Sequence, residues 1–256
     1  MFSSGTVTVV TAATGHEKLV NCLRSVQRQS HAQVEHVVVV DGQEWHERVQ
    51  EAVTQSEPLQ KKLHVVQLPQ ATGRNNWNGH RIYGAMSYLL NSEFISYLDE
   101  DNWLDPDHVE SLLSAIRKTQ SRWAFSLRKI CDFSGNVIAF DNCESLGNLH
   151  RVFSKKDHFH IDTSCYLLHR ELAVECSPLW YRPWRALRGE PCPDTLVCRQ
   201  LLRQHPKTCS NRKHTLNYTV GNQALSVRAE YFLHGNQVMR DLYPNGLPWE
   251  QPRVGD

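Results

Sequence analysis

The sequence predicts an α/β protein, a three-layer α/β/α sandwich around a mostly parallel, Rossmann-like sheet. Strand-length apolar runs alternate with helix-period segments from residue 6 to residue 98. The strands themselves read as nearly continuous apolar runs, the pattern of strands covered on both faces. Right-handed crossovers between such strands lay helices on both sides of the sheet.

Residues 6–10, TVTVV, are the first strand. Thr14 and Glu17 follow at capping-box spacing, so a helix is expected to open there. Leu19, Cys22, Leu23 and Val26 recur at i, i+3, i+4 and i+7 and give that helix one apolar stripe. VEHVVVV is a second, buried strand ending at Asp41-Gly42, and a polar helix over about 44–56 comes next. LHVVQL (63–68) is the third strand, 69–79 a polar loop, 80–91 a helix and FISYL (94–98) the fourth strand. Beyond residue 104 the strict alternation stops. A helix is expected from Pro106 to Lys118, capped by Asp105 with Asp107 favourable to its dipole. WAFSLRKI and NVIAFD flank Asp132-Phe133-Ser134-Gly135 as a hairpin does. An apolar segment at 161–168, a Trp/Arg/Pro stretch at 178–193, a helix near 195–204, a strand and turn within 211–227 and a Pro/Gly-rich tail complete the chain. There is no internal repeat or dividing linker, so one domain with two functional halves is expected, about 1–104 and 105–256.

Lys and Arg number 28 against 27 Asp and Glu, a net charge of +1, which argues against a general nucleic-acid binder. The longest purely apolar stretch, Val37 to Val40, is far short of the roughly 20 residues of a membrane span, so no integral membrane segment is expected. The opening MFSSGTVTVV lacks the basic-then-apolar order of a secretory signal, and a cytoplasmic protein is expected. Eight cysteines without a C-x-x-C pair suit reduced, packed thiols rather than a zinc ribbon or redox motif.

In open α/β sheets ligands gather at the carboxyl ends of strands. Three of these ends are polar here: Thr11 to Thr14, Asp41-Gly42, and Asp99-Glu100-Asp101-Asn102. Asp99 and Asp101 lie two apart on extended backbone and point to one side, with Glu100 on the other. Such neighbouring carboxylates repel without a cation, and hard oxygen ligands suit Mg²⁺ or Mn²⁺. His158, His160 with Asp162, and His214 could add a ligand. A G-x-G-x-x-G after the first strand and a G-x-x-x-x-G-K loop are both missing, which removes the nicotinamide dehydrogenases and P-loop enzymes.

The segments VTVVTAATGHEKLVNCLRSVQRQS, VVVVDG and EFISYLDEDN resemble the N-terminal half of the family 2 glycosyltransferases, enzymes of the GT-A fold that use nucleotide-diphosphate sugars. The likeness covers about residues 5–110 well and the rest more loosely. It implies that Asp41 contacts the nucleotide base, that Asp99 binds the ribose, and that Asp99 and Asp101 hold the metal. The family's first loop usually carries Pro and Tyr-Asn; here Thr11-Ala12-Ala13-Thr14 leaves backbone contacts from Thr11 and Ala13. RNNWNGHRIYGA resembles the stretch whose Arg reaches the diphosphate, which makes Arg81 the candidate and Arg74 its competitor.

Inverting transfer needs a base for the acceptor hydroxyl, and the family places it in an acidic pair shortly before a helix. GEPCPDTLVCRQLL matches with Pro193 in place of the first acid, so Asp194 is the candidate base and equally a candidate helix cap. Trp180, Trp184 and Arg185 could form an acceptor wall, rings stacking on a sugar and the guanidinium holding an anion, although such a cluster also fits packing under a loop. The resemblance therefore implies a metal-dependent, inverting glycosyltransferase using Mn²⁺ or Mg²⁺, with a UDP-sugar donor favoured and a sugar or other hydroxyl acceptor. Two alternatives stay open. One is a catalytically silent nucleotide-sugar or glycan-binding module. The other is a sugar nucleotidyltransferase, which would want a Gly-rich basic loop where TAATGHEK has one Gly and one Lys.

Overall fold

The computed structural model describes residues 5–75, 77–155, 158–182, 191–207, 209–221 and 227–250. The first half runs β1 (Val7–Ala13), α1 (Leu19–Gln27), β2 (Val34–Val40), α2 (His46–Gln55), β3 (Lys62–Gln67), α3 (His80–Leu89) and β4 (Phe94–Tyr97). The second half runs β5 (Trp103–Leu104), α4 (His108–Thr119), β6 (Trp123–Cys131), β7 (Val137–Phe140), β8 (Tyr166–His169), α5 (Arg170–Trp180), α6 (Pro193–Gln204), β9 (Cys209–Thr219) and α7 (Ala229–Leu242).

All strands join one sheet in the order β3-β2-β1-β4-β8-β6-β9-β5, with β7 beside β6. β3, β2, β1 and β4 are parallel; β8 inserts antiparallel between β4 and β6, and β9 is parallel to β6. The fold is the mostly parallel α/β sheet expected. Its parallel half brings the carboxyl ends of β1, β2 and β4 to one edge, and Asp41 and Asp99 come with them. Leu19, Cys22, Leu23 and Val26 of α1 are fully buried, as their spacing predicts. The hairpin at 132–136 forms, closed by the Asn136 amide N–H donating to Asp132 Oδ1 at 2.8 Å. No described helix is long and apolar enough to cross a membrane. All eight cysteines are free thiols, and Cys192 is the one that is not buried.

Several expectations are corrected. Thr14 does not cap α1, whose N-cap position is Lys18; its hydroxyl instead donates to Glu100 Oε1 at 2.6 Å. Asp105 does not cap α4, which has Asp107 at that position; the Asp105 carboxylate accepts from Lys129 Nζ at 2.6 Å and from Asn217 Nδ2 at 2.9 Å. Distant charges and amides outbid the local caps in both places. Helix α5 fills the stretch between the apolar segment at 161–168 and the Trp/Arg/Pro stretch and runs into the start of the latter, and α7 lies where only a tail was expected. Each buries a stripe at helical spacing, Leu172, Ala173, Cys176 and Trp180 on α5 and Phe232, Gly235, Asn236 and Met239 on α7.

Between β6 and the loops that follow it sits a buried arginine. Arg128 Nε donates to Asp141 Oδ2 and Nη1 to Asp162 Oδ2, each at 2.7 Å, while Nη2 reaches Glu144. Its guanidinium also lies over the rings of Tyr218 and Phe232, at 4.4 and 5.1 Å from their centroids. Burial opposes the charge, yet Asp141, Asp162 and Glu144 outweigh it and hold the pKa well above its usual range.

Three imidazoles are kept neutral by burial, which lowers His36 to about 3 and His108 and His214 to about 4. A base whose folded pKa lies below its unfolded value makes the fold lose stability as pH falls below the unfolded pKa, until the folded pKa is passed. Each of the three therefore adds about 1.4 kcal/mol per pH unit to the acid slope between roughly pH 6 and pH 5. Proton uptake on unfolding in that window is expected to drop by about one for each of His36→Asn, His108→Asn and His214→Asn, measured from urea midpoints against pH. An unchanged slope would mean the imidazole is already charged in the fold.

Candidate active site

Asp99 lies two residues past the end of β4, and its half-buried carboxylate accepts a hydrogen bond from the Tyr83 hydroxyl of α3 at 2.6 Å. Its backbone N–H donates to Ser164 Oγ at 3.1 Å, so the short turn before β8 holds the start of the acidic loop. Desolvation, then the charges of Asp101 and Asp162, push the Asp99 carboxyl up to about 8, and Asp194 adds to the effect. Four carboxylates from three segments of chain thus share one electrostatic field. The sequence marks Asp162 only beside His160 as a possible ligand and does not mark Tyr83, the hydrogen-bond partner of Asp99, because nothing local signals a pairing across such separations.

Glu100 faces the other way, as the extended backbone requires. It latches the loop after β1, accepting from Thr14 N–H at 2.9 Å, from His16 N–H at 2.9 Å and from the Thr14 hydroxyl. Past the turn, Asn102 Oδ1 accepts from Thr219 N–H at 3.0 Å, and the Thr219 hydroxyl donates to the Asp101 carbonyl at 2.6 Å. The acidic loop is clamped from β9 on one side and from the β1 loop on the other.

The remaining candidates are placed as follows. Thr11 is buried and its hydroxyl bonds His36 Nε2 at 2.9 Å, and the carbonyl of buried Ala13 accepts from Asp41 N–H at 2.9 Å. Both side chains are buried, so the nucleotide contacts expected of these two residues are ones that their backbone alone could make. Asp41 spends both oxygens on the β3–α3 loop: Oδ1 accepts from Thr72 N–H at 2.6 Å and Oδ2 from Gly73 N–H at 2.7 Å. A Cβ at residue 73 would stand 2.8 Å from that carboxylate, so only glycine fits there. Arg74 pairs with Glu44 at the surface at 2.8 Å. Arg81 lies over the Trp77 ring at 3.6 Å from its centroid and over Tyr181 at 5.5 Å.

Trp180 is fully buried against His80, Tyr83 and Tyr97, which corrects its assignment to an acceptor wall. The exposed aromatic beside it is Tyr181, paired with Trp77 at 5.0 Å. Trp184 and Arg185 lie outside the described residues. Asp194 opens α6 one residue after Pro193, with Oδ1 accepting from Thr195 N–H at 2.8 Å and Oδ2 standing 3.6 Å from His160 Nε2. His214 meets the exposed Phe140 ring edge-on at 4.9 Å, and among the described residues it joins no group of ligand atoms, which corrects it as a candidate ligand.

A mostly parallel α/β sheet with a clamped acidic loop at its carboxyl edge is the layout of the GT-A glycosyltransferases. The chain belongs to glycosyl transferase family 2, whose family model matches residues 8–176. Solved structures of the same fold include TarS 1–349 of S. aureus in complex with UDP-GlcNAc, with a TM-score of 0.58 and 15% identity over 93% of this chain and 65% of that one. Another is the mannosyltransferase PcManGT from Pyrobaculum calidifontis in complex with GDP-Man and Mn²⁺, with a TM-score of 0.56 and 14% identity over 85% of this chain and 58% of that one. The chain spans about three-fifths of the length of these proteins. No curated protein matches it significantly in sequence.

The Glu100 latch has a measurable weight. Glu100→Ala leaves three donors without their acceptor and is expected to cost about 2 kcal/mol in urea unfolding, with Glu100→Gln recovering part of it. A midpoint unmoved by Glu100→Ala would show that the loop after β1 is held by its backbone alone.

Proposed function

We propose that the chain transfers a sugar from a nucleoside diphosphate sugar to an acceptor hydroxyl, with inversion and with the help of a divalent cation. The observation that carries this reading is the carboxylate cluster at the end of β4, where Asp99 is pushed up to about 8 by burial and by its acidic neighbours. Groups so arranged are short of positive charge, and their hard oxygens fit Mg²⁺ or Mn²⁺. Asp99 and Asp101 would hold that ion, which supplies charge neutralisation for a departing nucleoside diphosphate. Relatives of the fold bound to UDP-GlcNAc, and to GDP-Man with Mn²⁺, support the donor class and the cation class alike. A UDP-sugar remains the favoured donor from the family resemblance.

The chain's own residues divide the remaining work. Asp194 takes the proton of the acceptor hydroxyl through Oδ2, since Oδ1 is engaged by the helix backbone. Arg81, held over the paired rings of Trp77 and Tyr181, presents a positioned guanidinium to the diphosphate. Asp41 meets the base. Because its oxygens already hold Thr72 and Gly73, a base would exchange those bonds rather than add new ones, so the contact contributes selectivity more than affinity. Residues before about 104 serve the donor and those after it the acceptor, with Tyr181 taking the aromatic place assigned to Trp180.

Thermal unfolding with UDP, GDP and CDP, each with and without Mn²⁺, tests the donor site. At ligand about 100 times Kd one nucleotide is expected to add about 2.7 kcal/mol in the presence of Mn²⁺ only, and Asp101→Asn to abolish the gain. With the donor so named, Asp194→Asn is expected to lower kcat by about 10²- to 10⁴-fold while leaving that stabilisation in place. No shift with any nucleotide would overturn the transferase reading. A shift without transfer by wild type would leave a silent binding module.

A further inference from the structure

Around Asp194 the structure gathers ligand types that the Asp99 and Asp101 pair does not have. His160, Cys192 and Asp194 each bring one ligand atom, and these atoms lie within 4.8 Å of one another, the single such group among the described residues. They come from two segments: His160 from the loop before β8, and Cys192 and Asp194 from the N-cap position and first turn of α6.

The geometry is that of ligands around an ion rather than of a hydrogen-bonded dyad. His160 Nε2 and Asp194 Oδ2 are 3.6 Å apart, too long for a good hydrogen bond. Two ligands at about 2.0–2.1 Å from one tetrahedral ion stand about 3.3 Å from each other. The outer contacts agree. Thr195 Oγ1 lies 3.2 Å from His160 Nδ1 and 3.0 Å from Cys192 Sγ, so one buried hydroxyl orients both ligands. A proton kept on Nδ1 by that contact leaves the Nε2 lone pair facing Asp194. The Asp194 carbonyl accepts from the Tyr166 hydroxyl at 3.3 Å, which fixes the third ligand's backbone.

We propose that His160, Cys192 and Asp194 form a second metal site, selective for a thiophilic ion such as Zn²⁺, whose occupation removes Asp194 from acceptor deprotonation. The inhibitory half rests on the reading of Asp194 as base; the metal half does not. On binding, the sulfur–metal bond forms as the Cys192 S–H proton passes to solvent, and no electron is transferred. A thiolate with an imidazole and a single carboxylate favours Zn²⁺ or Co²⁺ over Mg²⁺, while the oxygen-only Asp99 and Asp101 pair has the opposite preference. Three protein ligands leave a fourth position for water, as in open zinc sites.

Co²⁺ titration of the full chain reads the site directly, because a thiolate ligand gives cobalt an intense near-ultraviolet charge-transfer band. One equivalent of Co²⁺ is expected to produce that band, Zn²⁺ to displace it and excess Mg²⁺ to leave it. Cys192→Ser is expected to abolish the band and His160→Gln to weaken binding at least tenfold, while Asp99→Asn changes neither. The other seven cysteines are buried, so Cys192 is the most accessible thiol. Where Cys192→Ser fails to fold by circular dichroism, His160→Gln decides. No band in wild type, or a band kept in Cys192→Ser, overturns the site. In the Mn²⁺-supported transfer assay, Zn²⁺ is expected to inhibit wild type and to spare Cys192→Ser; equal inhibition of both overturns the link to Asp194. Failure of transfer in Mn²⁺ alone counts against the proposed function, and the cobalt spectrum then still decides the metal site.

Discussion

The buried guanidinium of Arg128 is the contact on which the acidic edge of the sheet depends. One positive charge meets three carboxylates, Asp141, Glu144 and Asp162, in a place closed to water. A buried ion pair of this kind contributes little net stability over a well-packed apolar substitute, because desolvation cancels most of the attraction. What it does contribute is position. Asp162 gives Oδ2 to Arg128 and Oδ1 to Ser164 N–H, and the Ser164 hydroxyl in turn accepts from Asp99 N–H. A chain of hydrogen bonds therefore runs from the arginine on β6 to the first acid after β4, across strands that are not neighbours in sequence.

The same cluster sets the electrostatics. Three acids on one arginine leave an excess of negative charge, and part of that excess acts on Asp99, for which Asp162 is among the main causes of elevation. Ser145 closes the arrangement by accepting from Asp162 N–H while donating its own N–H to Asp141. Every acid in the network is thus held by hydrogen bonds that a small shift would break. The fold keeps carboxylates together at a distance where they repel, and it does so with bonds directed at their backbones and at their outer oxygens. Under the proposed function, this arrangement preorganises the edge for a cation.

Much of the fold was legible because apolar spacing is a local signal. Val37 to Val40 could only be a covered strand, and the stripe from Leu19 to Val26 could only face a sheet. The two helices that escaped notice, α5 and α7, carry comparable stripes, yet Pro178 sits inside one and Gly235 inside the other. Breaker residues masked a periodicity that was present. The errors at Thr14, Asp105 and Trp180 share a different cause. Each side chain had a plausible local role, and each was claimed by a partner or a core far away in sequence: Glu100 for Thr14, Lys129 and Asn217 for Asp105, the rings of Tyr83 and Tyr97 for Trp180. The acids of the candidate site were legible as types at strand ends. Their common field with Asp162 was not, because it arises only when β8 inserts beside β4.

Asp194 was expected as the cap of α6 or as a base, and the structure corrects the first: the N-cap position is Cys192, and Asp194 is the second residue of the helix. Its Oδ1 still accepts from Thr195 N–H in the first turn. Under the proposed function the base needs one oxygen directed away from the helix, and Oδ2 is left for that purpose. The bond to the helix backbone would then orient the base instead of consuming it. Pro193 stands where an acidic neighbour is expected, and its ring fixes the backbone at the first helical position, where the missing N–H costs nothing. A second carboxylate there would have added another like charge to an edge already crowded with acids. A proline adds rigidity without charge, so the helix terminus holds a single carboxylate and adds no second like charge to those already acting on Asp99.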